Sequence, residues 1–320
     1  MSASRMVWLI GAGGMAVDYA KVLKAMNLPT VVIGRGAGSA EQFTEKTGLP
    51  VQLGGLDAFL ADVPQPADAA IVAVGMEALA GVTRRLLQSG VRRILIEKPG
   101  AMHYSEICEL AAMARDRSAQ VLIGYNRRTY ASTLRALEMI AQDGGVQSMN
   151  FEFTEWSHVI AGIQKAEGIK PAWVHANSSH VIDLAFHLGG MPVDMHCFTA
   201  GALEWHPSAA RFAGAGVTDR NVLFSYQANW QAPGRWGVEI LTANHRLIFR
   251  PMESLQVIKK GSLNVEPVVL DDHLDKAFKP GLFVQVDRFL RGQPDGLCTL
   301  LEQQAHWPLY DRIAGYGVSH

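Results

Sequence analysis

Residues 7 to 16 read Val7-Trp8-Leu9-Ile10-Gly11-Ala12-Gly13-Gly14-Met15-Ala16, four apolar residues running into a glycine turn. The segment after the turn carries apolar residues at three- and four-residue spacing, so the pattern G-x-G-x-x-G/A stands between a strand and a helix. That context gives the pattern its meaning as a dinucleotide-binding turn. Gly11 would make the tight turn, Gly13 and Gly14 would let the backbone approach a pyrophosphate, and Ala16 would let helix and strand pack closely. Met15 lies in the same turn, and the helix start offers unpaired N–H groups to phosphate charge.

The next apolar run, Thr30 to Ile33, ends in Gly34-Arg35-Gly36. NAD-binding domains usually place a carboxylate there for the ribose 2′-hydroxyl. Here Gly34 and Arg35 leave room for a 2′-phosphate and a cation to pair with it, so NADP is the preferred cofactor and NAD the second choice. The alternative for Arg35 is a solvated surface arginine. Further runs at Ala69–Val74, 94–96 and 121–123, separated by amphipathic stretches such as Asp18–Met26 and Leu79–Gln88, repeat the βαβ rhythm of a parallel sheet. Residues 1–125 are therefore expected to form a doubly wound Rossmann domain.

Beyond it the character changes. Runs at Met149–Glu155, 196–200, Val222–Trp230, Trp236–Ile248 and Leu255–Lys259 read as strands. The alternation of Val222, Phe224, Tyr226, Ala228 and Trp230 with polar neighbours suits an antiparallel sheet. Helical patterns appear at Ser179–Leu188, Phe283–Leu290 and Leu300–Ile313. The expected class is α/β, with residues 126–320 as an α+β domain on a largely antiparallel open sheet. The helical tail is a candidate to pack back on the first domain. Trp230, Trp236, Ile240 and Phe249 leave neither face of that sheet plainly polar, which points to a homo-oligomer.

Composition narrows the partners. The 320 residues contain 29 Lys+Arg against 30 Asp+Glu, and mean hydropathy is +0.07. No global field is available for nucleic acid or an anionic membrane surface. The three cysteines, Cys108, Cys197 and Cys298, form no CxxC pair, which suits a reducing compartment. No signal-peptide-like run and no apolar stretch of about 18 residues occurs, so the expected location is cytoplasmic.

Glu97-Lys98-Pro99 closes the apolar run at 94–96, at the strand edge where open α/β sheets bind ligands. With the glycine turn before it and Asp183-Leu-Ala-Phe-His187 after it, the order of motifs resembles the Gfo/Idh/MocA family of oxidoreductases. The resemblance spans about residues 6–190 and implies a two-domain NAD(P)-dependent enzyme. It would move a hydride between nicotinamide and a secondary alcohol or ketone of a sugar, sugar derivative or cyclic polyol. It also implies a site lined by Lys98, Asp183 and His187 and a cis peptide before Pro99. One departure is visible: the family's Thr-Pro or Asn-Pro turn and following histidine are replaced by Gly75-Met76-Glu77-Ala78, so Gly75 would serve the cofactor through its backbone.

These residue types fit the chemistry, because hydride transfer at a carbinol carbon needs a proton to move on its oxygen. His187 suits that proton near neutral pH, and Lys98 suits a developing alkoxide; which of the two is the acid/base is left open. Asp183 would hold a hydroxyl or orient the imidazole from the same helical face. Tyr125, Asn126 and Arg127, after the run at 121–123, suit a hydroxylated or anionic substrate. The alternative is that Arg127 and Arg128 pair with acids across the domain boundary. Glu155, Trp156, the segment His175–Asn177 and His180 are further substrate-wall candidates. His180 is equally readable as structural. A rival reading has His180, Asp183 and His187 hold a metal, and another has a cofactor-binding regulator without turnover.

Overall fold

The structure is a computed structural model that describes residues 6–63 and 65–317. The outer bounds drawn at residues 1 and 320, and the first five residues of the expected N-terminal reading, lie outside the described residues. The chain forms two compact units, one of residues up to Tyr125 with Ala277–Ala305, the other of Asn126–Lys276 with the residues from His306 on.

In the first unit β1 (Val7–Ile10), β2 (Thr30–Ile33), β3 (Val51–Gln52), β4 (Ala69–Val72), β5 (Arg93–Ile96) and β6 (Gln120–Ile123) alternate with α1 (Gly14–Ala25), α2 (Ala37–Thr47), α3 (Gly55–Asp62), α4 (Met76–Gln88) and α5 (Tyr104–Asp116). The six strands pair in parallel in the order β3-β2-β1-β4-β5-β6. Their near-continuous apolar character follows from burial on both faces. Val7 and Leu9 join a core with Tyr19, Val22 and Leu23 of α1. Trp8 turns to the other face and meets Phe59 of α3 edge-on, ring centroids 5.1 Å apart.

The second unit opens with a 3₁₀ turn, Asn126–Thr129, and α6 (Ala131–Gln142). Then come β7 (Ser148–Glu152), α7 (Ser157–Gly162), a π-helical turn at Val174–Ser178 and α8 (Ser179–Gly189). The sheet continues through β8 (Pro192–Ala200), β9 (Arg211–Thr218), β10 (Leu223–Asn229), β11 (Gly237–Leu241), β12 (His245–Phe249), β13 (Gln256–Lys259) and β14 (Glu266–Pro267), followed by α9 (His273–Ala277). Its order is β14-β13-β12-β11-β7-β10-β9-β8. All pairs are antiparallel except β7 with β10.

Two sequence expectations need correction here. Trp236–Ile248 is not one strand but the hairpin β11–β12, because Thr242-Ala243-Asn244 turns the chain, with the Thr242 N–H donating to the His245 carbonyl at 2.9 Å. Trp230, Trp236, Ile240 and Phe249 do not spread over both faces; all four are buried. The inner face of β7 and β10 meets Phe186 of α8, with Phe151 and Phe224 ring centroids 5.5 and 5.3 Å from it. The outward positions of β10, Leu223, Ser225 and Gln227, are exposed.

After α9 the chain returns to the first unit with α10 (Leu282–Arg291) and β15 (Cys298–Thr299), which pairs antiparallel with β6. The last helix is α11 (Leu300–Ala314). Leu282, Val286, Phe289 and Leu290 fall at helical spacing and join the α1 core. The Arg93 guanidinium donates to the carbonyls of Phe289 and Leu290 at the C-terminal end of α10, where a cation is favoured.

Candidate active site

At the carboxyl edge of the first unit's sheet lies a cavity of about 1140 Å³, lined by Gly11, Gly13, Gly14, Met15, Gly34, Arg35 and Gly75 among others. Gly11 has φ +122°, and a Cβ there would stand 2.2 Å from the Ala73 carbonyl oxygen, so only glycine makes this turn. A Cβ on Gly13 or Gly14 would meet nothing within 4 Å. That open backbone at the start of α1 is a cradle sized for a phosphate group, and the site fits a dinucleotide. Ala16 does not line the cavity. It is fully buried, as close packing of α1 requires.

Arg35 is exposed, and its aliphatic stem lies over Gly55, whose φ is +79°. The sequence reading missed the other charges along this cavity: Asp57, Glu77, Arg84 and Arg85. Arg84 is paired with Glu109 at 2.6 Å and Arg85 with Asp57 at 2.6 Å. Gly75 lies under the Glu77 carboxylate, which approaches within 2.3 Å of where a Cβ would stand.

Glu97 and Lys98 follow β5 at the same edge, and the Lys98–Pro99 peptide is cis. The buried Tyr19 phenol donates to Glu97 Oε1 at 2.7 Å. Burial pushes the Glu97 carboxyl up, with the Tyr19 hydrogen bond and the Lys98 charge working in the other direction. Burial first, then Glu97, pushes the Tyr19 phenol well up. Nothing in the sequence pattern singled out Tyr19, since its partner lies 78 residues away. Tyr125 ends this unit's main stretch and is buried.

In the second unit His180, Asp183 and His187 sit on α8 at the expected spacing, His180 and Asp183 buried and His187 half-buried. Asp183 has a partner within the same unit: Arg128 donates through Nε at 2.8 Å and Nη2 at 2.6 Å to its two carboxylate oxygens. Among the described residues His180, Asp183 and His187 are not gathered within ligating distance of one another. Asn126 is buried in the 3₁₀ turn.

Arg127 stands 4.9 Å over the Trp236 ring and 5.8 Å over that of Tyr130. Burial lowers its pKa. Glu155 is buried and accepts from Ser178 at 2.8 Å and Asn177 at 2.9 Å, both on the π-helical turn. Burial raises its pKa against those bonds. Such turns recur at functional sites. His175 faces elsewhere, with Nε2 2.6 Å from Asp311 and its ring stacked 4.0 Å from that of Trp307. A second cavity, of about 740 Å³, is lined by Glu155, Trp156, His158, Trp205, Trp230 and Gln231 among others.

A glycine cradle at the edge of a parallel sheet, followed by an α+β unit on an open sheet, defines a nucleotide-binding Rossmann protein with a second domain of its own. Residues 5–125 match the Gfo/Idh/MocA family, described as an oxidoreductase family with an NAD-binding Rossmann fold. No curated protein sequence matches the chain.

Among solved structures it is similar to UDP-N-acetylglucosamine 3-dehydrogenase GnnA from Acidithiobacillus ferrooxidans, at 17% identity over 98% of this chain and 97% of that one, TM-score 0.75. It is similar to a levoglucosan dehydrogenase in complex with NADH and L-sorbose, at 15% identity over 98% and 96%, TM-score 0.79. An NAD-binding oxidoreductase from Klebsiella pneumoniae is 14% identical over 99% and 98%, TM-score 0.79. At these identities the likeness establishes the shared fold along the whole chain. No helix among the described residues is long and apolar enough to cross a membrane.

Proposed function

We propose that the chain is an NADP-preferring oxidoreductase acting on a secondary alcohol or ketone of a sugar, sugar derivative or cyclic polyol. The observation that carries this reading is the open backbone at Gly13 and Gly14, at the same sheet edge as Lys98. Gly11, Gly13, Gly14 and Met15 would hold the pyrophosphate, with Gly34, Gly75 and Glu97 beside it, and Arg35 a 2′-phosphate. When bound, the nicotinamide supplies the hydride donor or acceptor. Lys98 would stabilise charge on the reacting oxygen and His187 would carry its proton. Asp183 would keep α8 and the 3₁₀ turn in register through Arg128, while Tyr125, Asn126, Glu155 and His180 would line the substrate. The dehydrogenase neighbours act on sugars, which supports the substrate class without naming the compound.

The test is a screen of nucleotide sugars, free sugars, inositols and their keto forms, followed at the reduced-nicotinamide absorbance. Turnover with at least one class is expected. Cofactor binding with no turnover anywhere would favour the regulator instead. A charge-assisted pair contributes about 1.5–3 kcal/mol, so Arg35→Ala is expected to weaken NADP binding roughly 10- to 100-fold and NAD binding far less. Equal losses for both cofactors would remove the NADP assignment.

We also propose a cytoplasmic protein, supported by three free cysteines, and a homo-oligomer joined through the outward sheet face. There Phe198 is 68% exposed and Leu223 65%, opposite Ala213 and Val217 of β9 respectively.

A further inference from the structure

Two adjacent arginines in the 3₁₀ turn have opposite fates. Arg128 is shut away and fully matched by Asp183. Arg127 Nε is also buried but has no hydrogen-bond partner, and no ion pair among the described residues includes the Arg127 guanidinium. Its contacts are with the faces of Trp236 and Tyr130. The residue as a whole is only half-buried, so the guanidinium's terminal nitrogens are the part that reaches solvent. Arg235, exposed, stands 5.4 Å over the same Trp236 ring and 4.7 Å over that of Trp156. Trp236 also neighbours His180, ring centroids 6.3 Å apart, which places this cation beside the helix proposed to face the substrate.

Ring faces soften the desolvation of a cation but do not neutralise it. A guanidinium keeps its charge at any physiological pH. The acidic groups acting on Arg127 are the Tyr130 phenol, then Glu253 and Glu155, with Arg235 opposing them, and neither carboxylate forms an ion pair with it among the described residues. Glu155 is already engaged by Ser178 and Asn177. A neutral hydroxyl would leave the partly dried cation without a counter-charge, whereas an oxyanion would take its forked donors.

We infer that the substrate of this site carries an oxyanion, a carboxylate or a phosphate, that seats on Arg127 between Trp236 and Tyr130. The inference rests on the sugar or polyol reading above and narrows it to sugar acids or sugar phosphates.

The test measures binding by calorimetry on the full chain, alongside turnover with NADP and NADPH, for glucose, gluconate, glucuronate and glucose 6-phosphate. Either anionic class is expected to bind roughly 10- to 100-fold more tightly than glucose, the range of one charge-assisted pair. Comparison of the acids with the phosphate identifies which oxyanion is preferred. Arg127→Leu is expected to collapse that ratio towards one, and added salt to lower the ratio in the native protein. If Arg127→Leu does not fold, Arg127→Lys, which keeps the charge and loses the fork, is expected to lower the ratio only partly. Anions that bind no better than glucose would overturn the inference while leaving the oxidoreductase reading intact. Anion binding that depends on Arg127, without turnover of any compound, would keep the inference and defeat that reading.

Discussion

Asp183 and Arg128 meet with side chains 0% and 3% exposed, so each charge is answered by the other in place of bulk water. Removing one partner of such a pair leaves a buried charge, at a cost of about 3–5 kcal/mol. Arg128→Met is therefore expected to lower urea-unfolding stability by roughly that amount, and Asp183→Asn by somewhat less. An unchanged unfolding midpoint in both would show that the pair does not hold the 3₁₀ turn to α8. Lys98→Ala and His187→Ala are expected to act differently. Each is expected to cut turnover by about 10²- to 10⁴-fold, the usual range for a lost proton-transfer group, with cofactor affinity nearly intact. A variant that turns over normally removes its residue from the mechanism. At this scale the sequence was legible wherever backbone geometry dictated the residue, as at Gly11. It was opaque where a side chain found a distant partner, as Arg128 did 55 residues on and Tyr19 did 78 residues on.

The hairpin β11–β12 shows how elements are fixed to one another. Asp143, just after α6, accepts hydrogen bonds from Thr242, Asn244 and His245 of the turn. The Thr242 bond first, then that from Asn244, draws the Asp143 carboxyl down to about 2 from its ordinary 3.8. A carboxyl depressed on folding stabilises the folded state above its unfolded pKa, and that stabilisation fades as pH falls through the folded value. Urea-unfolding free energy is therefore expected to carry an Asp143 contribution that is complete above about pH 4 and lost towards pH 2. Asp143→Asn should flatten that part of the acid limb. An identical pH profile in the variant would argue against the role.

Most of the Rossmann strands were legible because short apolar runs bounded by glycines have few other homes. Strand β9, Arg211–Thr218, was not, because Gly214 and Gly216 break its side-chain pattern. Both glycines are needed: a Cβ on Gly214 would stand 2.5 Å from the Tyr226 ring, and one on Gly216 would stand 2.2 Å from the Asp194 carbonyl oxygen. Bulky residues on neighbouring strands fill the space those glycines leave, which no single-strand pattern reveals.

For the molecule as a whole, a dimer or larger assembly is expected from light scattering, and a mass of 34.8 kDa at micromolar concentration would rule it out. A Phe198→Glu change should shift any assembly towards that mass. The change of rhythm near Tyr125 falls where the first unit's main stretch ends. The helical tail was legible only as a candidate to pack on the first domain, because an amphipathic helix does not declare which core it covers; residues 277–305 belong to the first unit. That return has a consequence for biogenesis. Leu282, Val286 and Phe289 complete the core begun by Val7, Leu9 and Tyr19, yet leave the ribosome about 160 residues after Leu122. At about 5–20 residues per second this is a delay of roughly 8–32 s. The unit begun first thus stays incomplete until most of the other has been made, and its bare α1 surface is a natural client for a chaperone until α10 arrives.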